Sequence, residues 1–164
     1  MEKIKWIEEY LEEAIRLAGD EGHEPALKLL DKLLYEEPGY GRLHNVLGNI
    51  YFYYADEIAS AERHFRMAIK LDPMLADPYV HLGHLLCEEE RHDEAIEVYT
   101  KGLKAKQAFK SGLLSGVAKS YELKKKYKKA IAHYKDALGH SAELWNCMVL
   151  EESIKRCKRK QKLN

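Results

Sequence analysis

One residue pattern recurs three times with a period of 35 in this chain of 164 residues, over 41–75, 76–110 and 111–141. Repetition at a fixed period of this length is typical of solenoids, in which each unit buries its apolar face against its neighbours. The repeat therefore constrains the fold more strongly than composition does. The dipeptides that align in the first half of the three copies are Leu47-Gly48, Leu82-Gly83 and Val117-Ala118.

Apolar residues recur at spacings of three and four between breakers such as Pro38, Pro73 and Pro78. That spacing predicts amphipathic helices, and no run shows the alternation of a strand. Short connections make neighbouring helices antiparallel, so we predict an all-α fold of helix pairs. The predicted helices lie near 3–19, 24–36, 41–55, 59–71, 76–90, 92–105, 111–123, 127–138 and 142–160.

The second helix of each copy has an alanine followed four residues later by an aromatic residue. A small residue follows the aromatic one in each copy, and Pro73 lies near the end of the first copy. With the Leu-Gly positions, this pattern resembles the tetratricopeptide repeat (TPR) family. The resemblance implies a right-handed superhelix of antiparallel helix pairs, whose concave groove usually binds peptides. The aligned alanine and aromatic pairs are Ala61 and Phe65, Ala95 and Tyr99, and Ala130 and Tyr134.

The two ends of the chain follow the repeat less closely. Residues 7–40 resemble a degenerate first repeat, in which Ala26, Leu30 and Leu33 match the second helix. Residues 142–160 resemble a lone first helix with Trp145 in the tryptophan place, and they are strongly basic. A terminal helix with a polar outer face is typical of a solenoid cap. We therefore predict a single TPR-like domain over 1–164 with a C-terminal capping helix.

The candidate binding residues are those that a helical projection places on the groove side of successive first helices. We expect Asn45, Asn49, Phe52, His84 and Lys119 to be largely accessible there. His81 is predicted to be accessible too, whereas Leu47, Tyr51, Leu82, Tyr99 and Tyr134 should be buried. The predicted peptide-binding groove consists of Arg42, Asn45, Asn49, Phe52, Asp77, His81, His84, Ser115, Lys119, Glu122 and Asn146.

Two more specific sites are not expected on this groove. The side chains of His81, His84 and Cys87 do not converge on one point, so we predict no metal site. One TPR subclass binds the terminal carboxylate of heat-shock chaperones through five positions, of which only Asn49 matches. Gly112 and Gly116 stand where that subclass needs two cations, which argues against such a clamp.

Charge is distributed unevenly along the chain, although its total is balanced at 27 against 27. Residues 1–100 have a net charge of −12 and residues 101–164 one of +12. This favours two alternatives to peptide binding: head-to-tail self-assembly into a homo-oligomer, and weak nucleic-acid binding by the basic part. The latter lacks aromatic residues interleaved for base stacking, so nucleic acid is not the expected partner.

Several classes of function have no support in the sequence. We find no phosphate-binding glycine loop, no nucleophile elbow and no Cys-x-x-Cys motif. We therefore expect no enzyme, no catalytic residues and no cofactor. No apolar run resembles a signal peptide or a membrane span, so no membrane is expected. Three cysteines, an odd number, fit a reducing cytoplasm. The expected function is that of a protein-interaction module or scaffold whose partner is a protein or peptide.

Overall fold

In the computed structural model, residues 2–106 and 108–163 are described, and their regular secondary structure is entirely α-helical. Each predicted helix is present, with its ends within three residues of the predicted ones. Within the described residues, no helix is long and apolar enough to cross a membrane. The helices are α1 (Glu2–Asp20), α2 (His23–Glu36), α3 (Gly41–Tyr53), α4 (Ile58–Leu71), α5 (Asp77–Glu88), α6 (His92–Gly102), α7 (Lys110–Leu123), α8 (Tyr127–Gly139) and α9 (Leu144–Leu163).

The turn inside each of the three repeats has the same backbone signature. Asp56, Glu90 and Lys125 adopt positive φ angles of 56°, 59° and 58°. Non-glycine residues rarely occupy this left-handed region. Because this conformation recurs at nearly the repeat spacing, equivalent turns join the two helices of each of the three pairs.

The chain divides into two compact units, residues 1–78 and 79–164. Unit 1 contains α1 to α4 and the first two residues of α5. Its core includes Leu11, Ala14, Leu43 and Leu47, all at most 1% exposed. Ala26, Leu30 and Leu33, assigned by sequence to the second helix of a degenerate repeat, are also buried. The single-domain organisation over 1–164 stays a prediction.

A pair of buried histidines joins α3 to α4 in unit 1. Nδ1 of His44 lies 2.9 Å from Nδ1 of His64, and Nε2 of His44 lies 3.0 Å from the carbonyl oxygen of Pro38. Because a carbonyl only accepts, Nε2 of His44 must carry the proton, and its neutral ring accepts at Nδ1. His64 therefore donates from Nδ1. The sequence analysis did not anticipate this pairing.

This arrangement makes unit 1 sensitive to acid. Burial, reinforced by the neighbouring His44, lowers the pKa of His64 to about 4. A folded-state pKa below the unfolded value of about 6.5 means that stability is complete above pH 6.5 and falls towards pH 4. We expect a loss of about 3 kcal/mol between pH 7 and pH 4, measured by urea unfolding. The His64→Gln variant keeps an N–H donor without titrating, so its loss should be much smaller. An equal loss would contradict the assignment.

Unit 2 contains α5 from Tyr79 onward and α6 to α9. Its second-helix aromatics fill the spaces left by small residues: a Cβ atom on Gly83 would lie 2.4 Å from the Tyr99 ring. Gly83, one of the aligned positions of the repeat, therefore lies where the two helices of one repeat approach closely. Farther along, Ala118, Ala130, Tyr134 and Leu150 share one buried cluster contributed by α7, α8 and α9.

The last helix, α9, is fixed to the rest of unit 2 along one face. Leu150, Ser153, Ile154 and Cys157 are its buried residues. Trp145, placed by sequence at the tryptophan position of a repeat, is 64% exposed. The repeat position alone therefore does not bury this side chain.

Candidate functional site

A cleft of about 430 Å³ opens between α5 and α7 in unit 2. It brings together three predicted groove residues: His84 from α5, and Ser115 and Lys119 from α7. Because residues three and four apart share a helix face, the two helices present these side chains to the same space. The cleft is lined by His84, Cys87, Glu88, Tyr99, Ser115, Gly116, Lys119 and Leu123.

The apolar part of the cleft is formed by Tyr99 and Leu123. Tyr99 belongs to α6, yet its ring passes between two glycines: a Cβ atom on Gly83 or on Gly116 would lie within 2.5 Å of it. The ring is 5% exposed, so Tyr99 is buried as predicted but also contributes to the wall. Leu123 is 43% exposed. The sequence analysis missed both as lining residues, although glycines on neighbouring first helices are a signal for an aromatic ring between them.

The polar part of the cleft carries charge of both signs. Nε2 of His84 lies 3.5 Å from Oε1 of Glu88, and both side chains are about half exposed. Lys119 is exposed on the α7 side, with half-buried Ser115 one turn before it. A cation, a hydroxyl group and a carboxylate around an apolar wall can hydrogen-bond a peptide backbone and accept one apolar side chain.

Cys87 lies deeper in the cleft and is not arranged as a nucleophile. Its Sγ is 3.0 Å from Oγ of Ser120, which donates to the carbonyl oxygen of Gly116 at 2.9 Å. Burial raises the pKa of the Cys87 thiol, so it is protonated at neutral pH. Among the residues described, no three His, Cys, Asp or Glu side chains are grouped to hold a metal ion.

Two other predicted groove residues of unit 2 are occupied by contacts within the protein. Glu122 is 4% exposed, and its carboxylate accepts from Tyr134, Arg156 and Lys160. Nδ2 of Asn146 donates to Oγ of Ser111 and of Ser141, at 3.1 and 2.9 Å. The Glu122 carboxylate and the Asn146 Nδ2 group are thus engaged within unit 2, where they hold α9 in place.

The remaining residue of the predicted set in unit 2, His81, is half-buried on α5. Unlike His84, it does not line the cleft. The prediction of a largely accessible His81 therefore holds only in part.

In unit 1 the predicted accessibility is wrong for two residues. Asn45 is 5% exposed and Phe52 is 8% exposed, since the Phe52 ring packs edge-on against Phe65 of α4 at 6.5 Å. Asn49 is half-buried, and so is Tyr51, which was expected to be buried.

The polar groups of the predicted residues in unit 1 differ in their partners. Arg42 is exposed and pairs with Glu8 at 2.5 Å, and Asp77 is exposed in the first turn of α5. The amide oxygens of Asn45 and Asn49 are buried and have no hydrogen-bond partner among the described residues. Buried amide oxygens usually accept a hydrogen bond, so these two are exceptions within unit 1.

Two glycines replace the cations of the chaperone-binding subclass, and both have an aromatic ring close to them in the structure. A Cβ atom on Gly112 would lie 2.3 Å from the Phe109 ring, and one on Gly116 would lie 2.5 Å from the Tyr99 ring. Aromatic rings thus fill the space next to both glycines. A cationic side chain at either place would require these rings to move.

Comparison with known proteins identifies the class of fold. Residues 76–109 match the family model described as tetratricopeptide repeat. No curated protein matches the sequence at a significant level. Among solved structures, MamA is similar, with 27% identity and a TM-score of 0.70 over 82% of this chain and 72% of MamA. Pseudomonas aeruginosa PilF aligns over 99% of this chain and 72% of its own, at 16% identity and a TM-score of 0.86.

A third similar structure is the TPR domain of Arabidopsis OM64, at 19% identity and a TM-score of 0.62. The alignment covers 73% of this chain and 94% of that domain. These likenesses confirm the predicted all-α solenoid fold class. Residues 76–109 are thus a tetratricopeptide repeat, and the chain has the helix-pair solenoid fold of TPR proteins, as its pattern indicated. Proteins with this fold typically serve as non-catalytic protein-interaction scaffolds.

Proposed function

We propose that this protein binds an extended peptide segment of a partner protein in the cleft between α5 and α7. The observation that carries the proposal is the convergence of His84, Ser115 and Lys119 on one apolar wall. Those three residues come from two different helices and were predicted to share a surface. The cytoplasmic location expected from the cysteines stays a prediction, as do self-assembly and nucleic-acid binding.

The chemistry of the lining defines the ligand. Lys119 favours a peptide with a carboxylate, from an acidic side chain or a chain terminus. Tyr99 and Leu123 favour one apolar side chain next to it. The half-exposed pair of His84 and Glu88 offers a donor and an acceptor for the peptide backbone. We expect an acidic residue and an apolar residue close together in the bound segment.

A peptide-display selection on the purified protein tests this proposal. We expect Lys119→Ala to weaken binding of the selected peptides about tenfold, because a charged hydrogen bond contributes about 1.5 kcal/mol. Ser115→Trp should abolish binding by filling the cleft. Lys135→Ala, which removes an exposed cation of α8 outside the cleft, is the matched control and should bind normally. Fluorescence anisotropy gives the affinities, and unfolding midpoints report whether each variant is folded.

The proposal fails if folded Ser115→Trp binds the selected peptides as tightly as the original protein does. It also fails if Lys119→Ala and Lys135→Ala weaken binding equally, since the peptides would then recognise positive charge in general.

A further inference from the structure

Helix α9 exposes a row of large apolar side chains. Leu144, Trp145, Met148 and Val149 are 77%, 64%, 61% and 54% exposed. At about 100° per residue they lie on one side of the helix, opposite buried Leu150 and its neighbours. We call these four residues the outer face of α9. Isolated exposed apolar residues are ordinary, but a contiguous row of this kind marks an interaction surface.

At the equivalent repeat positions of the other first helices in unit 2, the side chains are covered by a neighbouring helix. By the repeat alignment, Trp145, Met148 and Val149 correspond to Tyr79, Leu82 and Gly83 of α5. Those three are buried: Tyr79 and Leu82 are 6% and 1% exposed. A Cβ atom on Gly102 of α6 would lie 2.7 Å from Tyr79, and one on Gly83 would meet Tyr99.

The corresponding residues of α7 are Leu114, Val117 and Ala118, which are 6%, 2% and 0% exposed. Leu114 and Ala118 share a buried cluster with Ala130 and Tyr134 of α8. In both pairs the covering helix supplies a small residue and, four positions later, an aromatic one. The outer face of α9 therefore has the residue pattern that a second repeat helix covers.

The charges of α9 indicate which kind of helix would pack against its outer face. Beyond Val149 the same side of α9 continues with Glu152, Lys155 and Arg159, and Glu152 pairs with both cations. The helix as a whole has six cations against two carboxylates. A helix antiparallel to α9, as in the other pairs, would place its first turn near these cations. In the α5–α6 pair, the first turn of α6 has Asp93 and Glu94. Carboxylates in the first turn also complement the helix dipole.

We infer that the outer face of α9 is a docking surface for an amphipathic helix of a partner protein. That helix has a small residue followed at four positions by an aromatic one, and its first turn is acidic. The site lies apart from the cleft between α5 and α7, so it goes beyond the proposed peptide binding. The two sites would allow the protein to hold two partner segments at once.

Two peptides copied from this chain provide the probe and its control. Residues 92–103 (HDEAIEVYTKGL) have the required pattern and a net charge of −2, with histidine neutral. Residues 127–138 (YKKAIAHYKDAL) have the same pattern at +2. The readout is Trp145 emission in the full chain with Trp6→Phe. We expect a saturable blue shift with the acidic peptide, and affinity about tenfold lower for the basic one. Because isolated peptides of 12 residues are barely helical, the dissociation constant should be about 100 μM.

Variants then locate the binding. Met148→Glu combined with Val149→Glu should abolish the shift without lowering the unfolding midpoint, because both side chains are exposed. Ser115→Phe, which fills the cleft without adding a second tryptophan, should leave it unchanged, so this inference and the proposed function can fail separately. Equal binding of both peptides, or binding that survives the double variant, overturns the inference. A blue shift that grows with protein concentration alone also overturns it, because the occupant is then a second copy.

Discussion

The Gly83→Leu variant should unfold at a temperature about 10 °C below that of the original protein. A Cβ atom at this position would lie 2.4 Å from the Tyr99 ring, well inside van der Waals contact. The ring cannot retreat, because on its other side it packs so closely on Gly116 of α7 that a Cβ atom there would lie 2.5 Å from it. Overpacking of this kind costs about 3 kcal/mol, which corresponds to such a shift in a chain of this length. Differential scanning calorimetry measures it.

Gly19→Leu is the matched control for this experiment. Gly19 also lies in a helix, but nothing stands within 4 Å of its Cβ position. Leucine there should leave the midpoint unchanged or raise it slightly, since leucine has the higher helix propensity. Equal midpoints for the two leucine variants would show that Tyr99 does not pack between Gly83 and Gly116.

The Glu122→Gln variant should lose about 3 kcal/mol of stability at pH 7. Glu122 is 4% exposed, and Arg156 donates to it from Nε and Nη2, each at 2.8 Å. Glutamine keeps the size of the side chain but leaves Arg156, which is 37% exposed, without a charged partner. Because the carboxylate end of this ion pair is buried, its loss is costly. Urea unfolding at pH 7 measures the loss.

The control is Glu152→Gln, which also removes a carboxylate paired with a cation of α9, Arg159 at 2.9 Å. That pair is more than half exposed, so its loss should change stability by less than about 1 kcal/mol. Similar losses in the two variants would contradict the special role of Glu122.

Acid provides a second test of the same ion pair. Burial alone would raise the pKa of Glu122, but hydrogen bonds from Arg156 and Lys160 outweigh it and lower the pKa to about 2. Since the folded-state pKa lies below the ordinary value of 4.5, this stabilisation is complete above pH 4.5 and is lost towards pH 2. The loss should be absent in Glu122→Gln. The His64 transition lies at higher pH, between about 6.5 and 4.

The local sequence was sufficient to predict the helices and part of the packing between them. The helix ends were predictable because prolines and the period of apolar residues fix them locally. The contact of Gly83 with Tyr99 was predictable as well, because the repeat aligns small residues of the first helix with aromatic residues of the second.

Contacts between residues far apart in the sequence were not predictable in this way. A helical projection placed Glu122 on the groove side of α7, but it could not show that Arg156 and Lys160 reach this carboxylate across 34 and 38 residues. For the same reason it treated Asn45 and Phe52 as accessible, and it did not pair His44 with His64. Within the cleft, His84 and Lys119 were correctly expected to be exposed, because the helix face alone determines their exposure.

Tyr99 belongs at once to the packing between helices and to the wall of the cleft. A substitution that changes what the cleft recognises at this point also changes how α5, α6 and α7 fit together. Under the proposed function, evolution or design can therefore vary the peptide preference freely at Ser115, Lys119 or Leu123. At Tyr99 a new preference would require compensating changes at Gly83 and Gly116, so the three positions should vary together.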